Sequence, residues 1–167
     1  MKFKVSVETI YYCSLERAFK TGMLCNVAKV HTGYGPFPKV THCPEDENWG
    51  KPGFSKKVHV AKTLFQKGGW ATMDKVIDRV ENEYWKIEVS EFQTWTMGFT
   101  KFVGEWSTKE GKPNEILINY TYTLYANNQL LYTFNWIISK TIWKTYMKHV
   151  LENIRYMIDD NEPYLFD

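Results

Sequence analysis

Several features are missing from this 167-residue sequence, and each absence excludes a class of protein. The cysteines, Cys13, Cys25 and Cys43, are three in number and widely spaced, which argues against a disulfide framework and for free thiols in a reducing compartment. No uninterrupted apolar run reaches the ~18 residues that a membrane-spanning helix requires. The net charge of +2 is too small to indicate a nucleic-acid partner or an anionic membrane.

The beginning of the sequence lacks the continuous apolar segment of a signal peptide. Instead, Phe3, Val5 and Val7 alternate with polar and charged residues, which is typical of a strand. Together with the free thiols, this pattern predicts a cytoplasmic protein that does not insert into a membrane.

Recognisable catalytic and cofactor motifs are also missing. The sequence contains no Gly-x-Ser-x-Gly elbow, phosphate loop or dinucleotide fingerprint, and its four histidines have no His-x-x-x-His spacing. His42, Cys43, Glu45, Asp46 and Glu47 could form a metal cluster, but a solvated acidic loop is the simpler interpretation. We therefore predict no metal and no cofactor.

Charged residues elsewhere are expected to lie on the surface. Asp74 and Asp78 are predicted to share one exposed strand face, because alternating acids are common on solvated strands. Lys56 and Lys57 are interpreted as surface charges, although either lysine could steer an anionic head group.

A long C-terminal stretch dominates what is present. No Gly or Pro interrupts residues 114–162, and apolar residues recur there at helical spacing, which predicts a helix over 129–159. One face would carry Trp136, Trp143, Met147, Val150, Ile154 and Met157. A second face would expose Lys140, Lys144 and Lys148 to solvent.

The preceding chain predicts an antiparallel sheet. A strand over 2–10 is followed by a helix that Ser14 caps and by a second short helix or turn within 23–30. Residues 31–55 are rich in Gly and Pro, which predicts a loop with a short strand near 39–43. Two interpretations of this loop stay open: a lid over a binding site, or a plain surface connection. Strands are then predicted over 54–65, 70–80, 84–92, 95–106 and 115–126. Short turns join these strands into a meander that the terminal helix covers, so residues 1–167 are expected to form one domain.

This order of elements resembles the START-like, birch-pollen-allergen-like superfamily, also called SRPBCC or the polyketide cyclase/dehydrase and lipid-transport group. The resemblance rests on the strand Lys2–Ile10 leading into the helix Ser14–Phe19, on the Gly/Pro-rich loop, on hairpin strands such as Tyr84–Phe92 and on the closing helix. It implies an α+β helix-grip fold, in which a curved antiparallel sheet wraps a long C-terminal helix around an apolar cavity. Because that superfamily includes carriers, enzymes and chaperone activators, the fold alone does not select a function.

Aromatic residues make up 17% of the sequence, and aromatic side chains form effective ligand walls. The first hypothesis is a cavity that binds a small, mostly apolar molecule. Its lining is predicted to include Trp85, Ile87, Val89, Met97, Phe99, Ile118, Tyr120 and Tyr122 from the sheet, and Trp136, Trp143 and Met147 from the helix. Two alternatives stay open. One is a cyclase- or dehydrase-type enzyme that uses a Tyr or His in the cavity, and the other is an interaction protein whose interior is filled.

Overall fold

The computed structural model describes residues 1–44, 47–64, 66–94, 96 and 98–166. Within these residues, seven strands form one antiparallel sheet in the order β1-β7-β6-β5-β4-β3-β2. The strands are β1 (Lys2–Tyr12), β2 (Val40–His42), β3 (Ser55–Val60), β4 (Gly69–Val80), β5 (Tyr84–Ser90), β6 (Phe99–Glu110) and β7 (Glu115–Ala126). Helices α1 (Leu15–Leu24) and α2 (Val27–Val30) follow β1.

The terminal helix, residues 129–159, consists of four consecutive segments. A 3₁₀ turn (Gln129–Leu131) leads into α3 (Tyr132–Ile138), a π-helical turn (Ser139–Trp143) and α4 (Lys144–Asp159). The curved sheet and this helix confirm the predicted helix-grip fold. Among the described residues, no helix is both long and apolar enough to cross a lipid bilayer.

Local sequence explains where the elements begin. Ser14 Oγ accepts a hydrogen bond of 3.2 Å from the backbone N–H of Arg17, so it caps α1 as predicted. Asn26 Oδ1 accepts a bond of 3.0 Å from the N–H of Ala28 and caps α2 in the same way. The predicted range of the last strand agrees with β7, whose even-numbered residues from Ile116 to Leu124 are buried.

Other strand boundaries differ from the predictions by several residues. β3 ends at Val60, because the chain then turns back toward β4, and Phe65 lies outside the described residues. β6 begins at Phe99 and not at Trp95, and Trp95 and Met97 also lie outside the described residues.

Hydrogen bonds connect the terminal helix to β1. Tyr11 Oη donates a hydrogen bond of 2.7 Å to the Leu151 carbonyl. The Arg155 guanidinium donates to the Ile10 carbonyl at 2.9 Å and to Thr9 Oγ1 at 2.7 Å. These contacts fix the rotation of α4, and Trp143, Met147, Val150, Ile154 and Met157 are buried, as predicted.

Trp136 is a correction to the predicted buried face, because 49% of its surface is exposed. The π turn holds one residue more than an α-helical turn, so the position that shares a face with Trp143 lies eight residues earlier and not seven. That position is Asn135, which is fully buried. Lys140, Lys144 and Lys148 are exposed, which confirms the predicted charged face.

Candidate functional site

Two cavities lie between the sheet and the terminal helix. The larger cavity has a volume of about 180 Å³ and the smaller cavity a volume of about 30 Å³. Val27, His31, Asp74 and Tyr122 belong to the walls of both. The two spaces are therefore neighbours, separated by a partition that carries polar groups.

The larger cavity has a mainly apolar wall drawn from the sheet, the helix and the Gly/Pro-rich loop. Val89 of β5, Phe99 and Phe102 of β6, and Trp143 of the terminal helix supply much of its surface. Trp143 has four aromatic neighbours with ring centroids 4.9–5.4 Å away: Phe37, Phe102, Tyr122 and Tyr146. Such edge and tilted packing fixes the indole beside the space.

The loop over residues 31–55 contributes directly to this wall. Tyr34 and Phe37 exchange backbone hydrogen bonds of 2.9 and 3.0 Å, which close a tight turn. The turn places Pro36, Phe37 and Pro38 against the larger cavity. Part of the loop is thus a wall of the site and not only a surface connection.

A glycine on β6 creates room for one of the cavity tyrosines. Gly104 is the cross-strand partner of Tyr122. A Cβ atom added to Gly104 would lie 2.8 Å from Tyr122 Cζ, well inside van der Waals contact. The missing side chain therefore leaves room for the Tyr122 ring beside β6.

Lys56 is the most unusual residue of the smaller cavity. Only 5% of its surface is exposed, and its ammonium nitrogen lies 3.7 Å from the centroid of the Trp49 ring. Its cross-strand partner is Asp74, yet none of the ion pairs formed by the described residues includes Lys56. Burial lowers the pKa of Lys56, although the charges of Cys43 and Asp74 raise it.

Asp74 lines both cavities, and its pKa is shifted upward, opposite to that of Lys56. Burial raises the pKa of Asp74 to about 6, although the positive charge of Lys56 and the hydrogen bond from Thr72 lower it. Near neutral pH its protonated and ionised forms are therefore both accessible. This is a carboxyl group suited to exchange protons.

The remaining polar groups of the partition are held neutral. His31 Nδ1 and Tyr146 Oη share a hydrogen bond of 2.7 Å. Burial, together with the charge of Lys56, lowers the pKa of His31 to about 4. Burial raises the pKa of Tyr122 to about 12 and also raises the pKa of Tyr146. At neutral pH these groups can offer hydrogen bonds without adding charge.

Three buried indole groups also have unused donors. The Nε1 atoms of Trp85, Trp106 and Trp143 have no hydrogen-bond partner among the described residues. Trp85 and Trp106 line the smaller cavity, and Trp143 lines the larger one. Unpaired buried donors are unfavourable, so a polar atom that came within reach of one of these N–H groups would gain a hydrogen bond.

The predicted site residues fall into four groups. Those that line one or both cavities are Trp85, Ile87, Val89, Phe99, Tyr120, Tyr122 and Trp143. Ile118 and Met147 are buried but fill the core away from either cavity. Trp136 points outward, so its assignment to the wall is wrong. Met97 lies outside the described residues.

The interpretation of two charged residues is also corrected. Lys56 is buried and only Lys57 is exposed, because Lys56 shares the inward face of β3 with Val58. Asp74 and Asp78 do not share a face, since a register shift between Val76 and Asp78 reverses the alternation of β4. Asp74 consequently lines the cavities while Asp78 is exposed.

The sequence did contain a signal for the burial of Lys56. In an alternating strand, Lys56 lies on the same face as the apolar residues Val58 and Val60. No sequence pattern indicated the contact between His31 and Tyr146, since these residues are 115 positions apart and meet only in the folded chain. The acidic loop suggested as an alternative metal site includes Glu45 and Asp46, which lie outside the described residues. Among the described residues, no three potential ligands form a metal-binding group.

Solved structures share this architecture at low sequence identity. A Staphylococcus aureus protein of unknown function, SA2116, is 13% identical with a TM-score of 0.72, over 96% of both chains. Norcoclaurine synthase of Thalictrum flavum, as a point mutant in complex with a transition state analogue, is 12% identical with a TM-score of 0.67, again over 96% of both chains.

Ara h 8.0201 is 15% identical with a TM-score of 0.58, over 91% of this chain and 99% of its own. No protein-family model and no curated protein matches the sequence. At this level of identity, the likenesses show the helix-grip fold that the resemblance implied, and they show the fold alone.

Proposed function

We propose that this chain binds a small, mostly apolar molecule in the larger cavity, with residues 1–167 acting as one ligand-binding domain in the cytoplasm. The observation that carries this proposal is the space of about 180 Å³ between apolar walls. Apolar cavities of roughly 150 Å³ accept benzene, whereas drug-sized ligands need about 300–1,000 Å³. A molecule with one aromatic ring or a short acyl chain fits best.

Polar groups at the partition would orient the ligand. Trp143, whose indole N–H is unpaired among the described residues, and Tyr122 both line the larger cavity. Neutral donors discriminate between ligands without requiring a counter-charge. An apolar body in the larger cavity and one polar end directed at the partition therefore match the distribution of side chains. The complex of norcoclaurine synthase with a transition state analogue supports the idea that this fold can hold a ligand.

The site fits a second candidate, an acid–base enzyme, only through Asp74. The pKa of Tyr122 is raised to about 12 and that of His31 is lowered to about 4, so neither exchanges protons efficiently near neutral pH. Asp74, with its pKa raised to about 6, meets that requirement. The third hypothesis, an interaction protein with a filled interior, is less well supported because the larger cavity leaves part of the interior unfilled.

Calorimetric titration with benzyl alcohol and with benzene tests the proposal. We expect saturable binding of one molecule per chain. Ala71→Leu should weaken it, because Ala71 lines the larger cavity and the added atoms occupy ligand space. Ala61→Leu is the matched control, since Ala61 lines neither cavity. Absence of saturable binding by the folded parent protein, or equal effects of the two variants, would contradict the proposal.

A further inference from the structure

We infer that Lys56 is a carbonyl-reactive amine, and that the ligands of this cavity include small aromatic aldehydes that form an imine with its side chain. This inference rests on the proposed binding function. It adds a covalent step and a defined chemical class of ligand.

The position of Lys56 supports this role. Its amine is buried in the wall of the smaller cavity, and its closest charge-stabilising contact is the face of Trp49 at 3.7 Å. A lysine buried for stability normally has a carboxylate bonded to it, because an unpaired buried charge is costly. Lys56 takes part in no ion pair among the described residues. Burial without an ion pair therefore gives Lys56 a larger share of uncharged, nucleophilic amine than an exposed lysine has.

The cavities have the shape that such a reaction needs. The ring of an aldehyde such as benzaldehyde fits the larger cavity, and its carbonyl group then points at the partition formed by His31, Asp74 and Tyr122. Lys56 lines the smaller cavity at this partition, opposite its cross-strand partner Asp74. The smaller cavity, of about 30 Å³, has room for the water molecule that the condensation releases, since one water needs roughly 10–15 Å³.

Asp74 supplies the proton transfers. The Lys56 nitrogen attacks the carbonyl carbon, a C–N bond forms, and the C=O π electrons move to oxygen, which takes a proton from the Asp74 acid. The nitrogen then returns a proton to the Asp74 carboxylate, giving a neutral carbinolamine. A second proton from Asp74 lets the hydroxyl leave as water while the nitrogen lone pair forms the C=N bond of a protonated imine. The imine nitrogen then returns its proton to the Asp74 carboxylate, which leaves a neutral imine and restores the acid. The sum is aldehyde plus amine giving imine plus water, with no change in oxidation state.

Reductive trapping tests the inference. The protein is incubated with benzaldehyde and sodium cyanoborohydride, and the product is examined by intact mass and peptide mapping. We expect one benzyl group per chain, located at Lys56, to appear before any exposed lysine reacts. Benzyl alcohol, which cannot condense, should slow the labelling by occupying the same cavity.

Matched variants separate position from chemistry. Lys56→Arg should abolish the cavity adduct, whereas Lys57→Arg should not change it, because Lys57 is the exposed neighbour on the same strand. Asp74→Asn should slow labelling at Lys56 by about tenfold or more, because general acid–base catalysis typically contributes roughly 10²–10⁴-fold. Circular dichroism checks that each variant is folded, and mapping of the parent protein decides the question even if Lys56→Arg fails to fold.

The outcomes distinguish the two proposals. Saturable binding of benzyl alcohol without preferential labelling of Lys56 would overturn the imine while leaving the binding function intact. Labelling spread evenly over the exposed lysines would overturn it as well. If benzyl alcohol and benzene do not bind at all, the binding function itself is wrong.

Discussion

Asp74 and His31 face the same cavities with pKa values displaced in opposite directions, so their effects on stability should oppose each other as pH changes. The pKa of Asp74 is raised from 3.8 to about 6, and that of His31 is lowered from 6.5 to about 4. The substitutions Asp74→Asn and His31→Gln each remove one of these titratable groups.

The sign of each effect follows from which state binds the proton more tightly. Folding raises the pKa of Asp74, so its contribution is fully present below pH 3.8 and is lost as pH rises through about 6. Folding lowers the pKa of His31, so its contribution is fully present above pH 6.5 and is lost as pH falls through about 4. Between about pH 4 and 6 the two slopes have opposite signs.

The two groups contribute similar free energies to the pH dependence of stability. Each pKa unit corresponds to about 1.4 kcal/mol, so displacements of this size are worth about 3 kcal/mol for each group. In the parent protein the two slopes nearly cancel across the window. Removing one group exposes the slope of the other.

Urea unfolding between pH 4 and 7 measures the effect. Relative to the parent, Asp74→Asn should show a free energy of unfolding that increases more steeply with pH, because only the His31 slope remains. His31→Gln should show the reverse, a free energy that falls as pH rises. Carboxylates elsewhere titrate in all three proteins and cancel in the differences. Equal slopes for both variants and the parent would refute the reasoning.

Three further predictions concern stability and are measured by equilibrium unfolding. Trp143→Ala should cost about 3–5 kcal/mol by leaving a void, whereas Trp136→Ala, on the exposed side, should cost about 1 kcal/mol or less; equal costs would contradict the assigned faces. Gly104→Ala should cost about 1–3 kcal/mol through its clash with Tyr122, and markedly less when combined with Tyr122→Leu. Arg155→Ala should cost about 1–3 kcal/mol because two partly buried acceptors on β1, the Ile10 carbonyl and Thr9 Oγ1, lose their donor, and an unchanged midpoint would show that this anchor is dispensable.

The fold could be read from the sequence because its strongest signals are local. The alternation over Glu115–Ala126 fixes both the range and the inward face of β7. Helical spacing fixes the face of α4, where no irregular turn intervenes. Residues on one face of an element stay together in the fold, which is why several residues named from these patterns line the cavities.

The polar partition could not be read in the same way. Lys56 meets Asp74 through strand register, and His31 meets Tyr146 through packing between distant segments. The reversal of β4 at Val76 and the extra residue of the π turn both depend on which hydrogen bonds form, and neither leaves a periodic trace in the sequence. These two irregularities explain why Asp74 does not share the exposed face of Asp78, and why Trp136 does not share the buried face of Trp143.

The π turn also determines where the terminal helix tolerates a change in chain length. Asn135 and Trp143 are eight residues apart and share a face because the turn absorbs one extra residue. Deleting one residue within Ser139–Trp143 would leave seven, which is close to two ordinary α-helical turns, so both would stay buried. A deletion within α4 would instead rotate one part of that helix by about 100° relative to the other and bring polar side chains into the core. Proteins of this architecture with a helix one residue shorter should therefore align with their gap inside the π turn.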